Sequence, residues 1–120
     1  MSDFPQPEVV VTHESDLDGF VAGHLLQRLA NKLFDQETKL QAWNYTNWER
    51  RPLRENCAWV TDLNFSKRMD KENWLIVDHH QTDVEPKHAR LILDHSKSAS
   101  VLCYELCKEE GLGNDKLDRL

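Results

Sequence analysis

The chain lacks any apolar stretch approaching the roughly 20 residues that a membrane-spanning helix needs. Its N-terminus, Met1-Ser2-Asp3-Phe4-Pro5, has neither the basic nor the apolar region of a signal peptide. Cysteine is scarce: three residues, an odd number in a chain without a signal, argue for reduced thiols in a cytoplasmic protein and against a disulfide framework. Positive charge is in deficit, with 15 Lys and Arg against 21 Asp and Glu, a net charge of −6 and a pI near 5.4. No global field therefore attracts nucleic acid, and any polyanion has to be held by a local patch or by metal. There is no internal repeat and no low-complexity segment. At 120 residues and 14.1 kDa the chain makes one small domain of modest stability.

What is present is a repeated pattern at the ends of short apolar runs. Trp74-Leu75-Ile76-Val77 closes on the triplet Asp78-His79-His80. Val9-Val10-Val11-Thr12 runs into His13, followed by Asp16-Leu17-Asp18-Gly19. Ala58-Trp59-Val60-Thr61 runs into Asp62, and Leu91-Ile92-Leu93 into Asp94-His95. Imidazole and carboxylate are the ligands borderline divalent metals prefer. In an open α/β sheet, ligands bind just beyond the carboxyl ends of the strands. Four runs ending this way point to a metal site.

Taken in order, residues 1–7 form an irregular, proline-containing lead-in. Glu8–Thr12 reads as a continuously apolar strand covered on both faces, and His13–Gly19 as the loop after it. Phe20–Phe34 reads as a helix from the recurrence of Val21, Leu25, Leu29 and Leu33, with Asp16 or Asp18 as its cap. Lys39–Tyr45 is expected as a second strand. The polar stretch Asn47–Asn56 allows only a short helix because of Pro52. Cys57–Thr61 is a third strand, Ser66 is placed to cap a short helix through Lys71, and Trp74–Val77 is a fourth strand. Gln81–Lys87 is a polar loop and Arg90–Leu93 a fifth strand. Ser98 or Ser100 caps a helix over Ala99–Glu110, which Gly111 ends in the C′ position with Leu112 as its hydrophobic contact. A last helix begins near Lys116. The alternation predicts an α/β fold: a Rossmann-like, mainly parallel sheet of about five strands with flanking helices.

The chemistry follows from the residue types. The two carboxylates of Asp16-Leu17-Asp18 can face neighbouring ion positions, with His13 added to one. Asp62 can bridge two ions and His79 can complete the second. Divalent ions roughly 3.5–4 Å apart activate water and stabilise the leaving oxygen of a phosphoester. Carboxylate and imidazole without thiolate suit Mn²⁺, with Mg²⁺ or Co²⁺ as substitutes, better than structural Zn²⁺. Gly19 allows a sharp turn and puts backbone amides at a helix N-terminus, where an anion can bind.

His13-x-x-Asp16-x-Asp18-Gly19, Asp62, Asp78-His79-His80, and Asp94 with Ser98-Ala99-Ser100 resemble the ordered motifs of the DHH phosphoesterase family over about residues 8–110. Within it, the pattern looks closest to RecJ-like exonucleases and oligoribonucleases (nanoRNases), and less like family II pyrophosphatases. The resemblance implies a phosphodiesterase using two Mn²⁺ ions on short oligonucleotides, single-stranded nucleic acid or nucleotides. It implies His13, Asp16, Asp18, Asp62 and His79 as ligands, with Asp62 bridging. It also implies His80 on the scissile phosphate and Asp78 orienting its neighbours, with Gly19, Ser98 and Ser100 as further phosphate contacts. Family members supply one more aspartate ligand later in the chain. Here Asp94 follows the triplet by only about 15 residues and Asp118 stands at the very end. Members also carry a C-terminal substrate-binding domain, so residues 1–120 are expected to be the N-terminal part of such an enzyme.

Several residues keep a plainer alternative. Asp94 reads equally as a cap or turn aspartate, and His95 as a loop residue without a role. Cys103 and Cys107 read as small buried helix residues. Trp43, Tyr45, Trp48, Arg50, Arg51 and Arg54 could stack bases, but packing at a sheet edge beside a solvated basic stretch is the better reading. His24 and His88 have no assignment. A metal- or nucleotide-binding module without turnover and an inorganic pyrophosphatase stand as alternative functions. Apolar surface left by the short final helix favours a homodimer.

Overall fold

The computed structural model describes residues 4–14 and 16–111. Five strands, β1 (Val9–His13), β2 (Lys39–Trp43), β3 (Ala58–Thr61), β4 (Trp74–Asp78) and β5 (Arg90–Leu93), form one parallel sheet in the order β2-β1-β3-β4-β5. Helices α1 (Leu17–Phe34), α2 (Tyr45–Arg50) and α3 (Ala99–Glu109), with a 3₁₀ turn at Lys67–Met69, cover it. This is the expected doubly wound α/β arrangement. The chain moves outward from β1 to β2, then returns to place β3 on the other side of β1. The order therefore reverses between β1 and β3, and a ligand crevice opens at such a reversal.

Side chains alternate across the sheet as strand geometry requires. Val10, Trp59, Leu75 and Val77 face a core closed by Leu25, Leu26 and Leu29 of α1 and by Leu102, Cys103 and Leu106 of α3. Val9, Val11, Ala58, Val60, Trp74 and Ile76 face the opposite layer, closed by Trp48, Leu63, Phe65 and Met69. β1, β3 and β4 are buried on both sides, which explains their unbroken apolar sequences. The outer strands β2 and β5 are half exposed.

Three boundaries differ from the sequence reading by more than one residue, each for a local reason. The first helix begins at Leu17 rather than Phe20, because Asp16 is the cap: its Oδ1 accepts from the Gly19 amide at 2.9 Å. Asp18 thus lies in the first helical turn. The second strand stops at Trp43, because the Asn44 side chain accepts from the Asn47 amide at 2.8 Å and starts α2, which takes Tyr45 out of the strand. The segment after Ser66 is a 3₁₀ turn, and the Ser66 hydroxyl makes no capping bond. At the other end Ser98 caps α3 as expected, accepting from the Val101 amide at 3.3 Å, and Gly111 takes φ +87° just past it. Leu112 and the last expected helix lie outside the described residues.

Candidate metal centre

The site lies at the carboxyl ends of β1, β3 and β4, where the strand order reverses. Asp62 follows β3 directly with φ 61°, a left-handed conformation that turns the chain sharply and that aspartate tolerates better than most residues. The turn is held by the Asp62 amide bonding to Val77 O at 3.4 Å, beside Thr61 Oγ1 donating to the same carbonyl at 2.8 Å. The Asp62 carboxylate, almost wholly buried, meets His79 Nε2 at 3.2 Å. Asp18 Oδ2 approaches the same nitrogen to 3.9 Å. His79 thus stands between carboxylates delivered by two other segments.

The Asp18 carboxylate also serves α3, accepting from the Ala99 amide at 3.2 Å and the Ser100 amide at 2.9 Å. Burial works against its charge, but hydrogen bonds from Ser100 and Ala99 prevail and hold its pKa below the ordinary value. Burial pushes Asp62 upward, reinforced by the neighbouring charges of Asp16 and Asp18 and opposed by the His79 hydrogen bond. Burial raises Asp78 as well, against the attraction of His80. Two buried carboxyl groups that resist ionisation, side by side with two imidazoles, form an environment that a divalent cation would relieve.

Asp78 Oδ1 lies 2.7 Å from His80 Nδ1, which fixes that ring and directs its Nε2 away from Asp78. The His79 and His80 rings lie 4.3 Å apart. One ligand atom from each of Asp62, Asp78, His79 and His80 falls within 4.8 Å of the others. All are oxygen or nitrogen donors; Cys103 Sγ is buried and turned to Thr61 Oγ1 at 3.4 Å. The donor set therefore fits a hard or borderline divalent ion such as Mn²⁺ or Mg²⁺.

Gly19 is where α1 meets the centre. A Cβ there would stand 2.4 Å from His13 O and 2.8 Å from Asp62 Oδ2, so only glycine lets the helix start so close to the carboxylate. Thr12 Oγ1 ties this turn to the strand by donating to Gly19 O at 2.6 Å.

The remaining expected residues are placed less centrally. His13 ends β1 and packs its ring on Tyr45, with centroids 4.8 Å apart. Asp16 caps α1. Both lie outside the group of four ligand atoms. Asp94 Oδ1 accepts from the Ser96 amide at 2.9 Å and from the Ser96 hydroxyl at 2.6 Å, with Lys97 4.0 Å from its other oxygen. Here Asp94 acts as the turn aspartate. Ser98 and Ser100 hydroxyls lie 3.2 Å apart at the start of α3, whose first amides are directed at Asp18 and the Ser98 hydroxyl.

Two site neighbours escaped the sequence reading. His95 Nδ1 lies 3.1 Å from the backbone carbonyl of His79, so β5 reaches the centre through a residue that looked like plain loop. Tyr45 braces His13 and is itself fixed by Asn64, donating to Asn64 Oδ1 at 2.8 Å and accepting from its amide at 3.1 Å. The aromatics pack at the sheet edge as expected and Arg50 and Arg54 are exposed, but Arg51 is drawn into the packing rather than solvated. Arg51 stacks over Trp43 and Trp48 at 5.4 and 5.8 Å while bonding Glu55 at 2.6 and 3.0 Å.

Comparison with known protein families, with curated proteins and with solved structures finds no match for this chain.

Proposed function

We propose that the chain is a metal-dependent phosphoric ester hydrolase of the DHH type, acting on short or single-stranded nucleic acid or on nucleotides. The observation that carries this reading is the meeting of Asp18, Asp62 and His79 from three segments, with Asp62 and His79 joining Asp78 and His80 in one cluster of donor atoms. In this reading Asp62, Asp18 and His79 would hold Mn²⁺ or Mg²⁺, with His13 at the end of β1 and Asp16 at the cap of α1 completing the set. When bound, such ions supply activation of water and neutralisation of phosphate charge. His80, with its Nδ1 fixed by Asp78, presents its other nitrogen to the phosphate. His95 and Gly19 set the backbone on which these groups sit.

The test is calorimetric titration of Mn²⁺ into the wild-type chain and into Asp62→Ala, followed by cleavage of a short oligonucleotide. Two ions bound by the wild type and lost in the variant, together with cleavage, support the reading. Absence of Mn²⁺ binding overturns it. A second reading, binding without turnover, is favoured by the position of Asp94, whose carboxylate is engaged by Ser96 rather than by the cluster. Mn²⁺ binding with no cleavage would select it, and phosphate release from pyrophosphate would select a pyrophosphatase.

A further inference from the structure

A hollow of about 200 Å³ opens beside the metal centre, between the first two turns of α1 and the ends of β1 and β2. Its walls are Phe20 and His24 on the helix and Leu40 and Ala42 on β2, and His13 and Glu14 form its edge. Phe20 is 58 % exposed, unusual for a phenyl ring, and its ring meets that of His24 with centroids 4.4 Å apart. The hollow adjoins the centre directly. Phe20 follows Gly19, whose Cα abuts the Asp62 carboxylate, and Thr12, which also lines the hollow, bonds to Gly19 O.

We propose that this hollow is a nucleobase subsite. It rests on the metal-centre reading only for the phosphate end of its ligand. Its size suits one flat ring system and falls below the roughly 300–1,000 Å³ of sites for larger ligands. Exposed aromatic rings offer stacking, which every base can use because each has a π-face. The edge is polar: Glu14 Oε1 accepts from Asn44 Nδ2 at 3.1 Å, which sets the carboxylate at the rim, where ring N–H donors can reach it. An alkyl group would gain nothing from Glu14 and His13, and inorganic pyrophosphate would leave the hollow unfilled. A ligand that brings a flat ring and an anionic phosphoester to adjoining places is a nucleotide.

Two measurements test the subsite separately from the metal. In the ion-free protein, titration with adenosine is followed by the NMR signals of the His24 ring and the Ala42 methyl group. Shifts at both, absent in Phe20→Ala, are expected. In the Mn²⁺-loaded protein, calorimetry compares AMP with ribose 5-phosphate. AMP should bind about tenfold more tightly, as expected for one stacked base. Phe20→Ala and the hollow-filling Ala42→Trp should erase that difference while leaving Mn²⁺ and ribose 5-phosphate binding unchanged. Equal affinities for the two ligands in the wild type, or adenosine shifts that avoid His24 and Ala42, overturn the subsite even if Mn²⁺ binds normally. If Mn²⁺ fails to bind, the metal reading falls and the adenosine titration alone decides the subsite.

Discussion

Single residues decide whether this centre can exist. Gly19→Ala places a methyl group against the His13 carbonyl, which cannot withdraw without distorting β1, and against the Asp62 carboxylate, which would have to turn out of its place in the centre. Overpacking of this kind costs about 1–3 kcal/mol, so denaturant melts should show that loss together with much weaker Mn²⁺ binding. Asp62 tests the opposite balance. Its folded pKa is raised, so through the ordinary carboxylate range the folded state keeps a proton that the unfolded chain has released. The ion-free protein therefore loses stability from this group as pH rises. At neutral pH Asp62→Asn should raise the ion-free melting temperature, while Mn²⁺ at a hundred times its Kd, which adds about 2.7 kcal/mol to the wild type, should add nothing to the variant. A variant that melts lower than wild type without metal would contradict the burial argument. Asp62, Asp78, His79 and His80 were legible in the sequence because each closes an apolar run. His95 and Tyr45 were not, because one acts on a backbone carbonyl and the other through a ring contact. Such contacts exist only once β5 and α2 are docked.

Among the elements, the connection from β4 to β5 departs most from ordinary parallel-strand geometry. Parallel strands ordinarily need a crossover of a dozen or more residues, usually a helix, yet residues 79–89 contain none. A carboxylate from the preceding 3₁₀ turn holds this segment instead. Asp70 accepts from the amides of Lys87 at 2.9 Å, His88 at 2.9 Å and Ala89 at 2.8 Å, just before β5 begins. The Ala89 amide, joined by those of Lys87 and His88, draws the Asp70 pKa down to about 2 against an opposing desolvation effect. A depressed carboxylate stabilises the fold above its unfolded pKa near 4 and loses that contribution as pH falls towards 2. Asp70→Ala should therefore flatten the acid-denaturation curve in that window. It should also speed hydrogen exchange at Lys87, His88 and Ala89 while leaving β1 and β3 protected. Unchanged exchange at those three amides would show that β5 is held by its pairing with β4 alone. Nothing in the sequence announced this device, because Asp70 read as part of a short helix after Ser66 and Lys87 as the end of an ordinary polar loop, with no local spacing that joins them. By contrast the caps of α1 and α3 were legible, since Asp16 and Ser98 act on amides three residues away.

For the molecule as a whole, the apolar runs indicated a parallel sheet covered on both faces, but not the order of its strands. Burial is the same for a central strand whichever neighbour it has. The order depends on which face each connection crosses: α1 on one side, α2 on the other. That choice places β1 beside β3 and so brings Asp18 to within reach of Asp62 and His79. The cysteines report on this assembly. Cys57, Cys103 and Cys107 are all buried, and burial raises the Cys57 and Cys107 thiols to about 11 and Cys103 further. At pH 8 a disulfide reagent should thus label none of the three in the folded protein and all three in denaturant. Labelling then proceeds only through opening, and its rate measures how often the layers part. Cys103 packs on Thr61, the residue before Asp62, while Cys57 lies at the far end of the same strand. If the sheet opens as one unit, Mn²⁺ at a hundred times its Kd should slow all three about a hundredfold, since only the folded state binds. If slowing is confined to Cys103, with Cys57 reacting as before, the ion stabilises the strand ends alone and the two ends of the sheet open independently.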